Sequence, residues 1–321
     1  MQPTILALFL AYGRTTTSMC VAAIMLLVIG IWRAKSNVAP ARGLDKVVAL
    51  GNLCFAMPLA VFGAEHFAAA QGIMQIVPKF MPWPLFWTYF VGVGLVAAAL
   101  SIATKVEVRW SGLLFGIMMF TFVAMMDLPG TFERHGDRIS VALFLRELSF
   151  GGAGWILAGT AMGVQGAGKG LIRTGRVILG IAAIYYGVEH FLHPLGMPGV
   201  PLEKEMPSWI PARALIDYLT GVLLIAGGLC FLLKRKTRMA ATYLGSWIVL
   251  MVVIVYGPVL IAGLADPSTD VQVEALNYFF DTLLFGGAIL ALAKAAASAT
   301  TGEATGKEQY YIALGLRRVS S

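Results

Sequence analysis

The sequence predicts an all-α polytopic membrane protein, with two parallel-repeat four-helix bundles and one N-terminal transmembrane helix. Three observations predict this fold. Hydrophobic residues make up 58% of the 321 residues and charged residues only 13%, and the mean hydropathy is +0.78, more than one soluble core can bury. Long apolar runs recur without the period-two alternation of a barrel strand. Finally, the sequence GAEHF at residues 63–67 returns as GVEHF at residues 187–191.

Nine apolar segments of roughly membrane-spanning length can be identified. They lie near residues 15–32, 47–67, 85–104, 110–128, 141–164, 177–192, 215–233, 240–264 and 273–293. The first is expected to be an uncleaved anchor, because no basic segment of the kind that opens a signal peptide precedes it.

Further matches extend the similarity between the two halves and predict an internal duplication. Three residues of the first half recur at a constant offset of 129, and a Gly-rich block also recurs: Tyr89, Gly92, Pro129 and residues 150–153 correspond to Tyr218, Gly221, Pro258 and residues 285–288. We therefore expect five regions. They are an anchor with a basic linker (1–44), a first repeat (45–165), a Gly-rich hinge (166–172), a second repeat (173–297) and a mobile cytoplasmic tail (298–321).

The net charge of +7 raises the possibility of a nucleic-acid partner, but the distribution of charge excludes it. Most basic residues fall in alternate loops, whereas most acidic residues fall on the opposite side. The positive-inside rule makes the basic side cytoplasmic. The N-terminus is therefore expected outside and the C-terminus inside.

The three cysteines, Cys20, Cys54 and Cys230, all fall within predicted spans and far apart in the sequence. They imply no disulfide framework, and the chain has no Cys-x-x-Cys redox or haem-attachment motif.

Ionisable residues near the predicted outer ends of the spans are the candidate ligand-binding groups, because charge inside a membrane needs a partner or water. Neighbours on one helix point about 100° apart, so each Glu and His of the repeated motif must find its own partner across the bundle. The candidates are Glu65, His66, Asp127, Arg146 and Glu147 in the first half, and Glu189, His190, His193, Tyr256 and Asp281 in the second.

Two other interpretations of these residues are open. The spacing of His190 and His193 is compatible with a metal or haem, but no pair of Glu-x-x-His motifs supports a di-iron site. The Glu and His side chains could instead brace helix ends around the Pro-rich loops.

Coupled ion transport is disfavoured, because the charged residues lie near the predicted outer edge rather than at mid-membrane. A cleft for the head of a quinone or lipid is favoured.

The motifs resemble those of the DoxX family of small four-helix bacterial membrane proteins. The similar features are the end of the first helix (residues 63–67 and 187–191), the Pro/Trp loop, the Tyr-x-x-Gly start of the second helix and the Gly-rich fourth helix. The resemblance implies a four-helix bundle per copy, a bacterial inner-membrane location and association with quinone-linked oxidases.

Two functions follow as hypotheses. The first is an accessory or quinone-interacting subunit of a membrane redox system, with membrane lipid, quinone and a redox partner protein as its partners. The second is a non-catalytic structural or assembly factor that binds lipid or a protein partner.

Overall fold

The chain is an all-α polytopic membrane protein, as the composition predicts. The computed structural model describes the backbone of residues 13–163 and 165–313, and the side chains of residues 13–163 and 165–299. Within these residues, eight helices are long and apolar enough to cross a membrane. The helical segments Gly51–Ala68 and Ala70–Ile76 meet at an 88° bend and count as a ninth span when they are taken together.

The first half contains helices α1 to α8. Their bounds are α1 Arg14–Val38, α2 Asp45–Ala49, α3 Gly51–Ala68, α4 Ala70–Ile73, α5 Pro84–Thr104, α6 Val108–Phe122, α7 Leu128–Glu133 and α8 Arg138–Met162. A short 3-10 turn, Met74–Ile76, follows α4, and the π-helical segment Val123–Asp127 joins α6 to α7.

The second half repeats the order of the four long elements. Its helices are α9 Gly166–Leu192, α10 Arg213–Leu232, α11 Thr237–Met251, α12 Gly257–Leu264 and α13 Thr269–Ala313, with the π-helical segment Val252–Tyr256 between α11 and α12. Helix α13 therefore extends past residue 297, where the second repeat was expected to end. Residues 314–321 of the expected tail lie outside the described residues.

Both π-helical segments have a local cause in the sequence. Each is followed by a proline, Pro129 or Pro258, at the second position beyond it. Proline lacks a backbone donor and collides with the preceding turn, so the helix widens locally to keep its remaining hydrogen bonds. The widened turn ends at Asp127 in the first half and at Tyr256 in the second.

Helix contacts form one closed ring. Neighbours follow the order α3, α5, α6, α8, α9, α10, α11 and α13, and α13 packs back against α3. Helices α8 and α13 also contact each other across the ring, and α1 packs on the outside against α3. Helix α8 of the first half thus packs on α9 of the second, and α13 of the second half packs on α3 of the first. These two contacts join the predicted bundles into one assembly.

The expected hinge at residues 166–172 is not a linker. These residues are the first two turns of α9, and their glycines allow α9 to approach α8 closely. A Cβ atom on Gly168 or Gly175 would collide with backbone oxygens of α8 or of the turn that follows it. Small residues that let helix backbones meet are typical of membrane helix contacts.

The two ends of the bundle differ in chemistry. One end, which we name the basic end, carries Arg33, Lys105, Arg109, Lys234 and Lys236 near the helix termini. The opposite end carries all four histidines and is named the histidine end. The candidate site residues lie at the histidine end.

Candidate functional site

The histidine end of the first half contains a cluster of carboxylates around one guanidinium. Arg146 on α8 donates from Nη1 to Asp281 Oδ2 on α13 at 2.8 Å and from Nη2 to Glu147 Oε1 at 2.9 Å. Asp127 lies within electrostatic reach of Glu147 and Arg146. These four residues, with Glu65 and Asn277, are named the acidic cluster.

Glu65 joins this cluster through the last helix. Its Oε1 accepts a hydrogen bond of 3.1 Å from Asn277 Nδ2 on α13, and Asp281 lies nearby on the same helix. The contact crosses between the halves, because α3 packs on α13 rather than on α8. Five of the ten predicted site residues, Glu65, Asp127, Arg146, Glu147 and Asp281, therefore meet in one place.

The acidic cluster holds more carboxylates than cations. Arg146 is the one cation that contacts it among the described side chains, and it faces two carboxylates directly and Asp127 at longer range. Asp127 Oδ2 is buried and has no hydrogen-bond partner among the described residues. A buried carboxylate oxygen needs a donor, so the cluster is chemically incomplete as it stands.

The second half arranges the equivalent residues around a loop. His190 and Asp217 are fully buried, with His190 Nδ1 3.2 Å from Asp217 Oδ1. The backbone N–H of Gly199 donates to His190 Nε2 at 3.1 Å. An imidazole that accepts this bond at Nε2 carries its proton on Nδ1, the nitrogen nearest the carboxylate.

The loop that carries Gly199 closes the histidine end of the second half. Residues 197–201, named the plug, are all buried among the helices. Tyr256, at the end of the second π-helical segment, donates from its hydroxyl to Pro198 O at 3.0 Å. Residues on either side of the plug fix it in place. The backbone N–H of Met206 donates to Leu195 O, and Lys204 forms an ion pair of 3.0 Å with Glu274 on α13.

The corresponding loop of the first half does not close its end. It bends away from α3 at 88°, and of its residues 69–83 only Ala70 is buried. The acidic cluster beneath keeps side-chain exposures of 16% to 18% at Arg146, Glu147 and Asp281. By contrast, Tyr256 is 1% exposed and His190 and Asp217 are 0% exposed.

The remaining predicted residues fall outside the acidic cluster. Glu189 pairs with Arg138 at 3.4 Å and lies 3.7 Å from His193, which is 47% exposed. Among the described residues, the one hydrogen-bond partner of the His66 ring is the Phe62 carbonyl of its own helix, 2.7 Å from Nδ1. The described residues include no group of three or more His, Cys, Asp or Glu arranged to hold a metal ion.

Sequence analysis did not select Asp217, Asn277 or Arg138 as site residues, or the plug itself. One signal for the plug was present. The offset between the halves rises from 124 at the GAEHF motif to 129 at Tyr89, which places five extra residues in the loop between α9 and α10. Asp217 and Asn277 carried no comparable signal, since each is an isolated polar residue in an apolar run.

Comparisons with known proteins add no family assignment. No family model matches the chain, and no curated protein and no solved structure is significantly similar to it.

Proposed function

We propose that this chain is a duplicated, DoxX-like protein of the bacterial inner membrane that binds the head of a membrane quinol at the acidic cluster. It would serve as an accessory or quinone-interacting subunit of a membrane redox system. The observation that carries the proposal is the difference between the halves: the plug fills one histidine end, whereas partly exposed polar side chains line the other.

The internal similarity identifies which first-half residues correspond to those that hold the plug. By the offsets of 124, 129 and 135 found in the sequence, His190, Tyr256 and Thr282 correspond to His66, Asp127 and Glu147. The same offset of 129 relates the two π-helical segments. In the second half these positions surround the Pro198–Gly199 peptide, a polar group inserted from the loop. In the first half a ligand would take that place.

The side chains of the acidic cluster favour a ligand that donates hydrogen bonds. Tyr256 donates a hydrogen bond to the plug, but Asp127 and Glu147 replace hydroxyl groups with carboxylates, which accept. A ligand with two hydroxyl donors on a planar head, the reduced form of a quinone, meets this requirement. Oxidised quinone has only acceptors and should bind more weakly.

Apolar surface beside the cluster suits the tail of such a ligand. Phe67 at the end of α3 and Leu128 and Phe132 on α7 are 40%, 39% and 73% exposed at the same end. A hydrophobic tail reaching the cluster from the membrane would cover such side chains.

The test compares binding of decylubiquinol and of its oxidised form to the purified protein in nanodiscs. Asp127→Asn and Glu147→Gln should each weaken quinol binding roughly tenfold or more, the usual effect of losing a hydrogen bond to a charged group. Glu133→Gln is the matched control, because Glu133 is an exposed carboxylate just beyond the cluster. The control should bind as the unchanged protein does.

The alternative is a non-catalytic structural or assembly factor. The ion pair of Arg146 with Asp281 favours it, because this pair joins the central helices of the two halves. In that case Asp127→Asn and Glu147→Gln alter thermal stability, no quinone form binds, and mild extraction yields protein free of quinone. That result would overturn the proposal.

Orientation belongs to the same proposal. The concentration of arginine and lysine at the basic end supports its placement in the cytoplasm, with the acidic cluster on the outer side. Quinol would then reach the protein from the outer leaflet.

A further inference from the structure

A second candidate site lies at the basic end, far from the acidic cluster and independent of the proposed function. The end of α1 and the residue after α5 enclose a cleft of about 210 Å³. Its lining is Trp32, Arg33, Lys35, Ser36 and Lys105. Three cations and one hydroxyl thus face a single small space.

The cleft has a defined shape because its walls are tied together. Arg33 donates from Nη2 to the last carbonyl of α5, Thr104 O, at 2.9 Å. The Trp32 ring lies 5.7 Å from the Arg33 guanidinium carbon and 6.0 Å from Lys35 Nζ. Lys105 adopts the left-handed conformation, φ 62°, that ends α5 and turns the chain toward α6.

No carboxylate among the described side chains neutralises this cleft. Among the described side chains, the acids at the basic end are Asp45 and Glu107, and they pair with Arg238 and Arg109. Partial burial and the nearby Arg33 guanidinium lower the pKa of Lys105, since both disfavour another positive charge there. Three cations held together without an anion constitute an unsatisfied electrostatic site.

We propose that this cleft binds the phosphate of an anionic phospholipid headgroup. Arginine and lysine are the residues that recognise phosphate, and tryptophan is favoured at the level of the headgroups. The adjacent face of α1 supplies a path for an acyl chain, because Ile24, Val28 and Ile31 follow one another along it and are 50%, 63% and 53% exposed. This apolar path favours a lipid over free phosphate.

The test is native mass spectrometry of the full-length protein titrated with phosphatidylglycerol or phosphatidylcholine. We expect phosphatidylglycerol to be retained about tenfold more strongly, with no displacement by millimolar inorganic phosphate. The double variant Arg33→Gln/Lys105→Gln should abolish this tenfold preference, since each basic residue near an anionic headgroup contributes about fivefold.

The matched control is Lys234→Gln/Arg235→Gln. Lys234 occupies the position equivalent to Lys105 at the end of α10 and is likewise left-handed, but α1 does not pack there. This control removes the same charge from the same end and should keep the preference. Lys35→Gln alone, an exposed change that should not affect folding, should weaken retention about fivefold.

Three results would overturn the inference. Equal retention of both lipids would remove the headgroup preference. An equal loss in the two double variants would show only a general effect of surface charge. Displacement of the bound lipid by inorganic phosphate would identify a site for free anions.

Discussion

At the residue scale, the repeated Glu–His pair has different surroundings in the two halves. His190 is fully buried, faces Asp217 and accepts from the plug. His66 is half-buried and contacts the carbonyl of Phe62 on its own helix. The position equivalent to Asp217 by the offset of 129 is Thr88, which bonds to its own helix at Pro84 O. The same Glu–His pair therefore places its imidazole in a buried contact with a carboxylate in the second half but not in the first.

We expect His190→Ala to destabilise the protein far more than His66→Ala. Removing His190 leaves the Asp217 carboxylate buried without its partner, which costs about 3 to 5 kcal/mol of unfolding free energy. His66→Ala breaks one local contact and should cost about 1 kcal/mol. Thermal unfolding in one detergent measures both variants side by side. Equal destabilisation would show that the difference in burial has no energetic consequence.

At the element scale, glycine decides how closely the halves join. Helices α8 and α9 connect the first half to the second, and Gly152 and Gly175 face each other where they meet. The two helix backbones are so close at this point that a methyl group does not fit between them. Gly168, which lies in the expected hinge, makes a close helix contact of the same kind. Small residues allow such contacts while each helix keeps its own backbone hydrogen bonds.

Gly175→Ala should destabilise the protein, and Gly170→Ala should not. The new methyl group at residue 175 collides with the backbone oxygen of Gly152, which cannot move as a flexible side chain can. Overpacking of this kind costs about 1 to 3 kcal/mol. Gly170 lies on the same helix with nothing within 4 Å of the added carbon, so alanine there changes only helix propensity. Thermal unfolding distinguishes the two, and similar midpoints would contradict the close contact.

At the scale of the whole molecule, charge and burial divide the protein into two chemically distinct ends. Basic residues gather at one end, where the described acids are few, and the acidic cluster and the plug occupy the other. The helices between these ends are long and apolar enough to cross a membrane. The proposed quinol site and the proposed lipid site therefore face opposite leaflets of the membrane.

Cysteine labelling tests this orientation. After Cys20, Cys54 and Cys230 are replaced by alanine, single cysteines at Gly136 and Glu203 should react with an impermeant maleimide in intact cells. Cysteines at Glu107 and Lys236 should react only after the membrane is opened. All four positions are exposed, so accessibility within the protein does not limit the reaction. Labelling of the second pair in intact cells would reverse the assignment.

The sequence by itself determined the all-α membrane class, the approximate spans and the depth of the candidate residues. Hydropathy and residue spacing encode these properties directly, because each span must match the bilayer and each helix advances by a constant rise. Grouping of Glu65, Asp127 and Arg146 at one end followed from that depth.

Only the tertiary structure decided which residues at that depth meet. Apolar helix faces in a membrane do not specify their neighbours, so the sequence could not show that α3 packs on α13 or that Arg146 reaches Asp281 in the other half. The burial of the plug and the exposure of the first loop also depend on whether space remains between helices. That space depends on how all the helices of the ring pack together, so no single segment of the sequence determines it.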